Sequence, residues 1–138
     1  MESLDMAGHL IRRLHQRSTQ AFALRTQAAG FDLTSVQFAA LDAIQAHPAS
    51  DQASIAELIA YDRATIGGVI ERLEQKGWVR RVVSAKDRRA RELSLTEEGA
   101  RIHGELLPIV RQVQDDILQP LSEAGRADFL DLMRQTTQ

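Results

Sequence analysis

The sequence predicts a mainly α-helical fold carrying one small β-hairpin, the hairpin lying before the C-terminal third of the chain. Three observations predict it. Apolar residues recur at three- and four-residue steps through most of the 138 residues, the pattern of helices with one buried face. The stretch 78–95 departs from that pattern, with β-branched or alternating residues on both sides of a charged turn. Between these segments stand hydroxyl or acidic capping residues, glycines and prolines at the positions where helices start and stop.

Leu4, Ala7, Leu10, Ile11, Leu14, Ala21 and Phe22 predict one long helix over Leu4–Ala28, closed by Gly30. Thr34 and Gln37 form a capping box for a second helix, which ends before Pro48 because proline disfavours helical geometry at His47. Pro48–Gln52 is expected as a polar loop, and Ser54 with Glu57 reads as a second capping box opening a short helix to about Ala60. Asp62 is the expected N-cap of a helix over Arg63–Lys76, with Ile66, Val69, Ile70 and Leu73 as its buried stripe and Gly77 at its end. Strands are expected over Trp78–Val83 and Arg91–Leu95, joined by the charged turn 84–90. Thr96 caps a long helix to about Leu118 that contains Pro108, and Ser122 caps a last one reaching Met133.

Helix–turn–helix followed by strand–turn–strand is the order of a winged helix-turn-helix domain. The chain thus reads as a single domain over residues 1–138. Residues 33–98 form the winged part, and 1–30 and 100–138 are long flanking helices. Those helices carry more apolar surface than one winged domain can cover, so they are expected to dimerise.

Bulk properties narrow the function. There is no cysteine, which excludes disulfides, zinc–thiolate sites and thiol redox sensing. No apolar run is long enough to span a membrane, and the start Met-Glu-Ser-Leu-Asp lacks the basic region of a secretory signal, so a cytoplasmic protein is expected. The net charge is −2, but the distribution is uneven: residues 63–91 hold nine basic and three acidic side chains, whereas 95–138 hold four basic and eight acidic. A basic segment within an acidic protein is the footprint of a nucleic-acid face.

The third helical segment of the winged part fits that face. Away from its buried stripe it presents Ala64, Thr65, Gly67 and Gly68, small enough for a backbone to approach DNA in the major groove. Thr65 can meet a base edge or a thymine methyl; Arg63 and Arg72 can reach phosphates or guanine. Lys76 and Arg80 are expected on phosphates. Lys86, Arg88 and Arg89 stand at the hairpin tip, thin enough to enter a minor groove, with Asp87 expected to pair with Arg89 and hold it.

The stretches Leu33–Leu41, Ile55–Leu58, Thr65–Leu73, Lys76–Arg80, Asp87–Arg89 and Leu95–Gly99, in this order and spacing, resemble the MarR family of bacterial transcription regulators. The resemblance implies a homodimer interlocked through the first and the C-terminal helices. It implies a recognition helix at Arg63–Lys76 in the major groove of double-stranded operator DNA, and Arg89, steadied by Asp87, in the minor groove. It further implies a small aromatic anion bound between the dimerisation helices and the winged part, releasing the DNA.

Candidate ligand residues are polar groups in or beside the apolar arc of the first helix, Ser18, Arg25, Arg17 and His15, with Phe38 as an apolar wall; an arginine and a hydroxyl suit a carboxylate. The same groups can equally bond across a dimer interface. The run Arg12–Arg17 is similar to family members that respond to aromatic carboxylates or their coenzyme A thioesters. No metal site is expected, because His9, His15, His47 and His103 form no ligating pair, and no cofactor motif is present. No nucleophile elbow or phosphate-binding loop points to an enzyme. The expected function is a repressor released from a palindromic operator by an aromatic carboxylate or its thioester. The alternative is an architectural or interaction module that binds DNA without an effector.

Overall fold

A computed structural model describes residues 1–138. A short 3₁₀ turn at Glu2–Asp5 precedes six helices and two strands: α1 Ala7–Ala28, α2 Ser35–Ala46, α3 Gln52–Leu58, α4 Ile66–Gln75, β1 Val79–Val83, β2 Arg91–Leu95, α5 Glu97–Leu118 and α6 Glu123–Thr136. The mainly helical winged fold expected from the sequence is the fold observed. No helix is long and apolar enough to cross a membrane.

The winged part encloses the core. Leu41 and Ile44 of α2, Ile55 of α3, Ile66, Ile70 and Leu73 of α4, and Leu93 of β2 are almost wholly buried, and Leu106 and Val113 extend the cluster along α5. Helix α1 packs lengthwise on α5, so the two long helices form a stalk beside the winged part. Apolar side chains stay uncovered on that stalk, among them Leu10, Ile11 and Leu24, while α6 has no buried residue and exposes Leu132.

Local chemistry explains most boundaries. The Thr34 hydroxyl accepts from Gln37 N–H at 3.1 Å and the Gln37 side chain accepts from Thr34 N–H at 3.1 Å, the expected capping box. Gly77 leaves α4 at φ +78°, a conformation costly for any residue with a Cβ. Gly99 is needed for space rather than conformation. A Cβ there would lie 1.9 Å from the Trp78 carbonyl oxygen, because the first turn of α5 sits directly on that peptide. Thr96 locks the junction: its hydroxyl accepts from Gly99 N–H at 3.0 Å and donates to Gly77 O at 2.6 Å.

Four expectations are corrected. The first helix does not begin at Leu4, because Met6 is extended at ψ 147° and separates the 3₁₀ turn from α1. Helix α3 begins at Gln52, since Asp51 rather than Ser54 is its cap: the Asp51 carboxylate accepts from Ser54 N–H at 2.8 Å. That bond holds the Asp51 carboxyl below its usual range, with the nearby Arg63 charge adding to it. Helix α3 ends at Leu58, and Ala60 turns the chain at φ +54°. Arg63–Thr65 form a turn ahead of α4, not its first residues. Two boundaries move slightly: β1 starts after Trp78, and α6 continues past Met133 to Thr136.

Candidate nucleic-acid interface

Asp62 organises the entry to α4. Its carbonyl accepts from the N–H groups of Thr65 and Ile66 at 3.1 and 3.0 Å, and its carboxylate from Ala64 N–H at 3.3 Å. The Thr65 hydroxyl donates to Asp62 O at 3.2 Å. The Thr65 hydroxyl proton is therefore engaged, while its oxygen can still accept. Arg63, Ala64, Thr65, Gly68 and Arg72 are all exposed on this face. A Cβ on Gly68 would meet no atom within 4 Å. Nothing inside the chain requires the absence of a side chain there.

The hairpin pairs antiparallel from Val79 opposite Leu95 to Val83 opposite Arg91. Its tip is held by Ser84, a nearly buried hydroxyl that accepts from Lys86 N–H at 3.2 Å and Asp87 N–H at 3.3 Å. Asp87 Oδ1 accepts from the backbone N–H of Arg89 at 3.0 Å. The expected side-chain pair is thus replaced by a side chain-to-backbone bond, because the tight turn brings that N–H to the carboxylate first. Lys86, Arg88 and Arg89 remain exposed, outside every ion pair of the chain. Ser84 escaped the sequence reading; a serine at the strand end, two residues before Lys86, is the ordinary signal of such a turn.

Two expected phosphate contacts are placed differently. Lys76 Nζ donates to Asp32 O at 2.5 Å and lies 5.0 Å from the centre of the Trp78 ring, so it fastens the loop before α2 to the end of α4. Arg80 is exposed, with Nε 3.4 Å from Ser94 Oγ. The neighbouring Arg81 turns inward, Nε 2.7 Å from Glu74 Oε1.

The five candidate ligand residues do not converge. Arg25 grips Asp116 of α5 with Nε–Oδ2 at 2.6 Å and Nη2–Oδ1 at 2.8 Å. That bond raises the arginine and lowers the aspartate from their usual ranges. Arg17 donates to the carbonyls of Ile117 and Asp116, both at 3.0 Å. Both arginines are therefore matched by α5, a partner ninety or more residues away that no local pattern reveals. His15 and Ser18 line a cleft of about 310 Å³ with Leu14, Ile117, Phe129 and Met133. Phe38 is buried elsewhere, between Phe22 at 6.5 Å and the ring of His103 at 5.9 Å, which stacks on it at 2° and bonds Asp42 at 2.7 Å. A second cleft of about 380 Å³ lies between α1, the loop before α2, and α4, lined by Phe22, Gln27, Asp32, Gln37, Arg72 and Lys76.

Comparison with known proteins agrees with this architecture. Residues 31–90 match the model of the MarR family. The chain is 36% identical over 131 residues to the transcriptional repressor NicR of Pseudomonas putida, covering 95% of this chain and 82% of NicR. Among solved structures, PcaV of Streptomyces coelicolor in complex with its natural ligand superposes with a TM-score of 0.90 at 33% identity, covering 99% of this chain and 95% of PcaV. BpsR of Bordetella bronchiseptica, whose DNA binding is regulated by 6-hydroxynicotinic acid, superposes with a TM-score of 0.90 at 29% identity, covering 97% and 94%. The identity to NicR over nearly the whole chain, the match of residues 31–90 to the family model, and a winged helix-turn-helix fold that superposes on these regulators together settle the family: this chain belongs to the MarR family.

Proposed function

We propose that the chain is a homodimeric transcriptional repressor that leaves a palindromic operator when a small aromatic carboxylate, or its thioester, binds. The observation that carries the DNA half is the wing tip. Three exposed cations stand at the end of a hairpin, outside every ion pair of the chain, while Ser84 Oγ and Asp87 Oδ1 accept backbone N–H groups of the turn. The slim start of α4, with Thr65 and Gly68 outward, supplies the partner element for the major groove, and Arg63 and Arg72 flank it. Because the Thr65 hydroxyl proton is held by Asp62, Thr65 is suited to accept from adenine N6 or cytosine N4, or to touch a thymine methyl. The uncovered apolar residues of α1 and α6 support dimerisation through the stalk.

The effector half rests on the regulators with which the chain shares its fold over nearly its whole length. Within the chain, the cleft of about 380 Å³ beside α4 has the size of a small-ligand site. Phe22 offers an aromatic wall there, and Arg72 a guanidinium outside every ion pair of the chain. An acid bound to Arg72 draws that side chain away from DNA, which couples the two ligands directly. The test is calorimetry with 6-hydroxynicotinate, hydroxybenzoates and their coenzyme A thioesters, with and without duplex DNA. Binding of an acid that the duplex weakens, and that weakens the duplex by the same factor, is the expected result. Binding of these acids with no effect on DNA contradicts the repressor-release reading and favours a DNA-binding module without an effector.

A further inference from the structure

The recognition helix and the wing are separate pieces of backbone that must meet one duplex together. The structure restrains the hairpin from two sides at a single level. On the outer edge of β2, Ala49 N–H donates to Leu93 O and Leu93 N–H donates to Ser50 O, both at 2.9 Å. On the inner side, Arg81 of β1 reaches Glu74 of α4, with Nε 2.7 Å from Oε1. Arg81 stands directly opposite Leu93 in the strand register, so the ion pair and the backbone bridge act on the same rung. Beyond that rung Val82 and Val83 are exposed, and the hydrogen bonds of the tip all close within residues 84–90.

The pair is poorly replaced by water. Both side chains are only about a third exposed, at 30% and 34%, and Arg81 Nε is buried without an aligned hydrogen bond to any acceptor. Its attraction to Glu74 is therefore charge on charge, and removing that carboxylate leaves a half-buried cation with nothing to hold it. Glu74 faces β1, while the outward positions of α4 lie earlier, at Gly68 and Arg72. Neither member of the pair needs to touch DNA for the pair to matter to DNA binding.

We propose that Glu74 and Arg81 are positioning residues for DNA recognition: their ion pair sets the angle between the recognition helix and the wing, so that the two grooves are engaged at once. This rests on the assignment of α4 and the wing tip to DNA made above. It differs from a general contribution of charge to binding. A carboxylate beside a DNA-binding face repels phosphate, so removing it should strengthen binding unless its geometric role dominates.

The experiment is a double-mutant cycle. The duplex is the palindrome that the unmodified protein enriches from a random pool, and affinity is read by fluorescence anisotropy. Glu74→Gln is expected to weaken binding roughly tenfold in the parent protein and by less than about twofold in an Arg89→Ala background, since a wing that no longer contributes cannot be mispositioned. The charge-reversed pair, Glu74→Arg with Arg81→Glu, is expected to restore most of the loss. Amide exchange of Val82 and Glu92 in the free protein should quicken in Glu74→Gln while that of Ile70 stays slow, and this readout holds even if one variant binds DNA too weakly to measure. Equal losses in both backgrounds, tighter binding by Glu74→Gln, or unchanged exchange in the wing overturns the proposal. If Arg89→Ala alone binds like the parent, it is the wing assignment that has failed.

Discussion

Asp87 Oδ1 accepts the backbone N–H of Arg89 at 3.0 Å, and the Arg89 guanidinium is left with no acidic partner. The carboxylate shapes the turn and leaves the charge free. Arg89→Ala should weaken operator binding by about 1–3 kcal/mol, the range for removing a side chain from a groove. Asp87→Ala should weaken it less. Asp87→Asn should stay near the parent, because an amide oxygen still accepts the same N–H. Ser84→Ala, which removes the acceptor for two N–H groups, should resemble Asp87→Ala. Anisotropy titrations of the four variants check this order. An Asp87→Asn loss as large as that of Arg89→Ala would favour a side-chain ion pair instead.

Gly68 separates stability from binding. A helical glycine costs roughly 0.5–1 kcal/mol relative to alanine, and a Cβ here meets no atom within 4 Å. Gly68→Ala is therefore expected to raise the thermal midpoint while lowering affinity for DNA. A variant that is more stable and binds as tightly as the parent would remove Gly68 from the interface.

Gly99 has the opposite character. Its missing Cβ is demanded by the Trp78 carbonyl at 1.9 Å, a backbone group that cannot swing aside. Gly99→Ala should cost about 3 kcal/mol or more by forcing α5 away from the strand junction. Denaturant unfolding measures it, and a loss below ~1 kcal/mol would show that the junction gives easily.

Lys76 and Lys86 should part company in salt. Lys76 is bound to Asp32 O and stacked near Trp78, so Lys76→Met should lower stability by about 1 kcal/mol and leave the salt dependence of DNA binding unchanged. Lys86 is exposed at the wing tip, and Lys86→Ala should flatten the dependence of log K on log salt by about one unit for each phosphate it no longer neutralises. The slopes of the two variants decide.

Acid should loosen the fold through two named carboxylates. The Ser54 N–H lowers Asp51, and the Arg25 guanidinium lowers Asp116, each from an ordinary value of 3.8. A carboxyl lowered in the folded state contributes stability that is complete above its unfolded value and is lost as pH falls through the folded one. The thermal midpoint of the parent should therefore fall below about pH 4. Asp51→Asn and Asp116→Asn should each show a shallower fall, checked by melting curves across that range.

What could be read from the sequence was local chemistry. The Thr34–Gln37 box, the stop at Gly77, the caps at Thr96 and Ser122 and the buried Ile66, Ile70 and Leu73 of α4 depend on residues within one or two turns of each other and appear where expected, with Val69 only half-buried beside them. The misses have two causes. Some arose from competing caps: Asp51 stands three residues before Ser54 and captures its N–H, and Ala60 takes a left-handed turn where glycine or asparagine is the usual marker. The others are long-range. Arg25 and Arg17 meet α5 across the stalk, and Lys76 meets Asp32. Periodicity can place such residues on a face but cannot say what lies opposite. The basic wing was legible because its residues are contiguous in the chain; its anchoring by Glu74 and by Ser50 was not.

The most direct measurement is affinity for the palindromic duplex against a scrambled duplex of the same length, over a series of salt concentrations, by anisotropy with the complex mass read by light scattering. One dimer per palindrome, binding at least about 10³-fold tighter than to the scrambled duplex, with a steep salt slope that flattens in Arg88→Ala and Arg89→Ala, is the expected result. Equal affinity for both duplexes, or a slope that the two wing substitutions leave unchanged, would contradict the account.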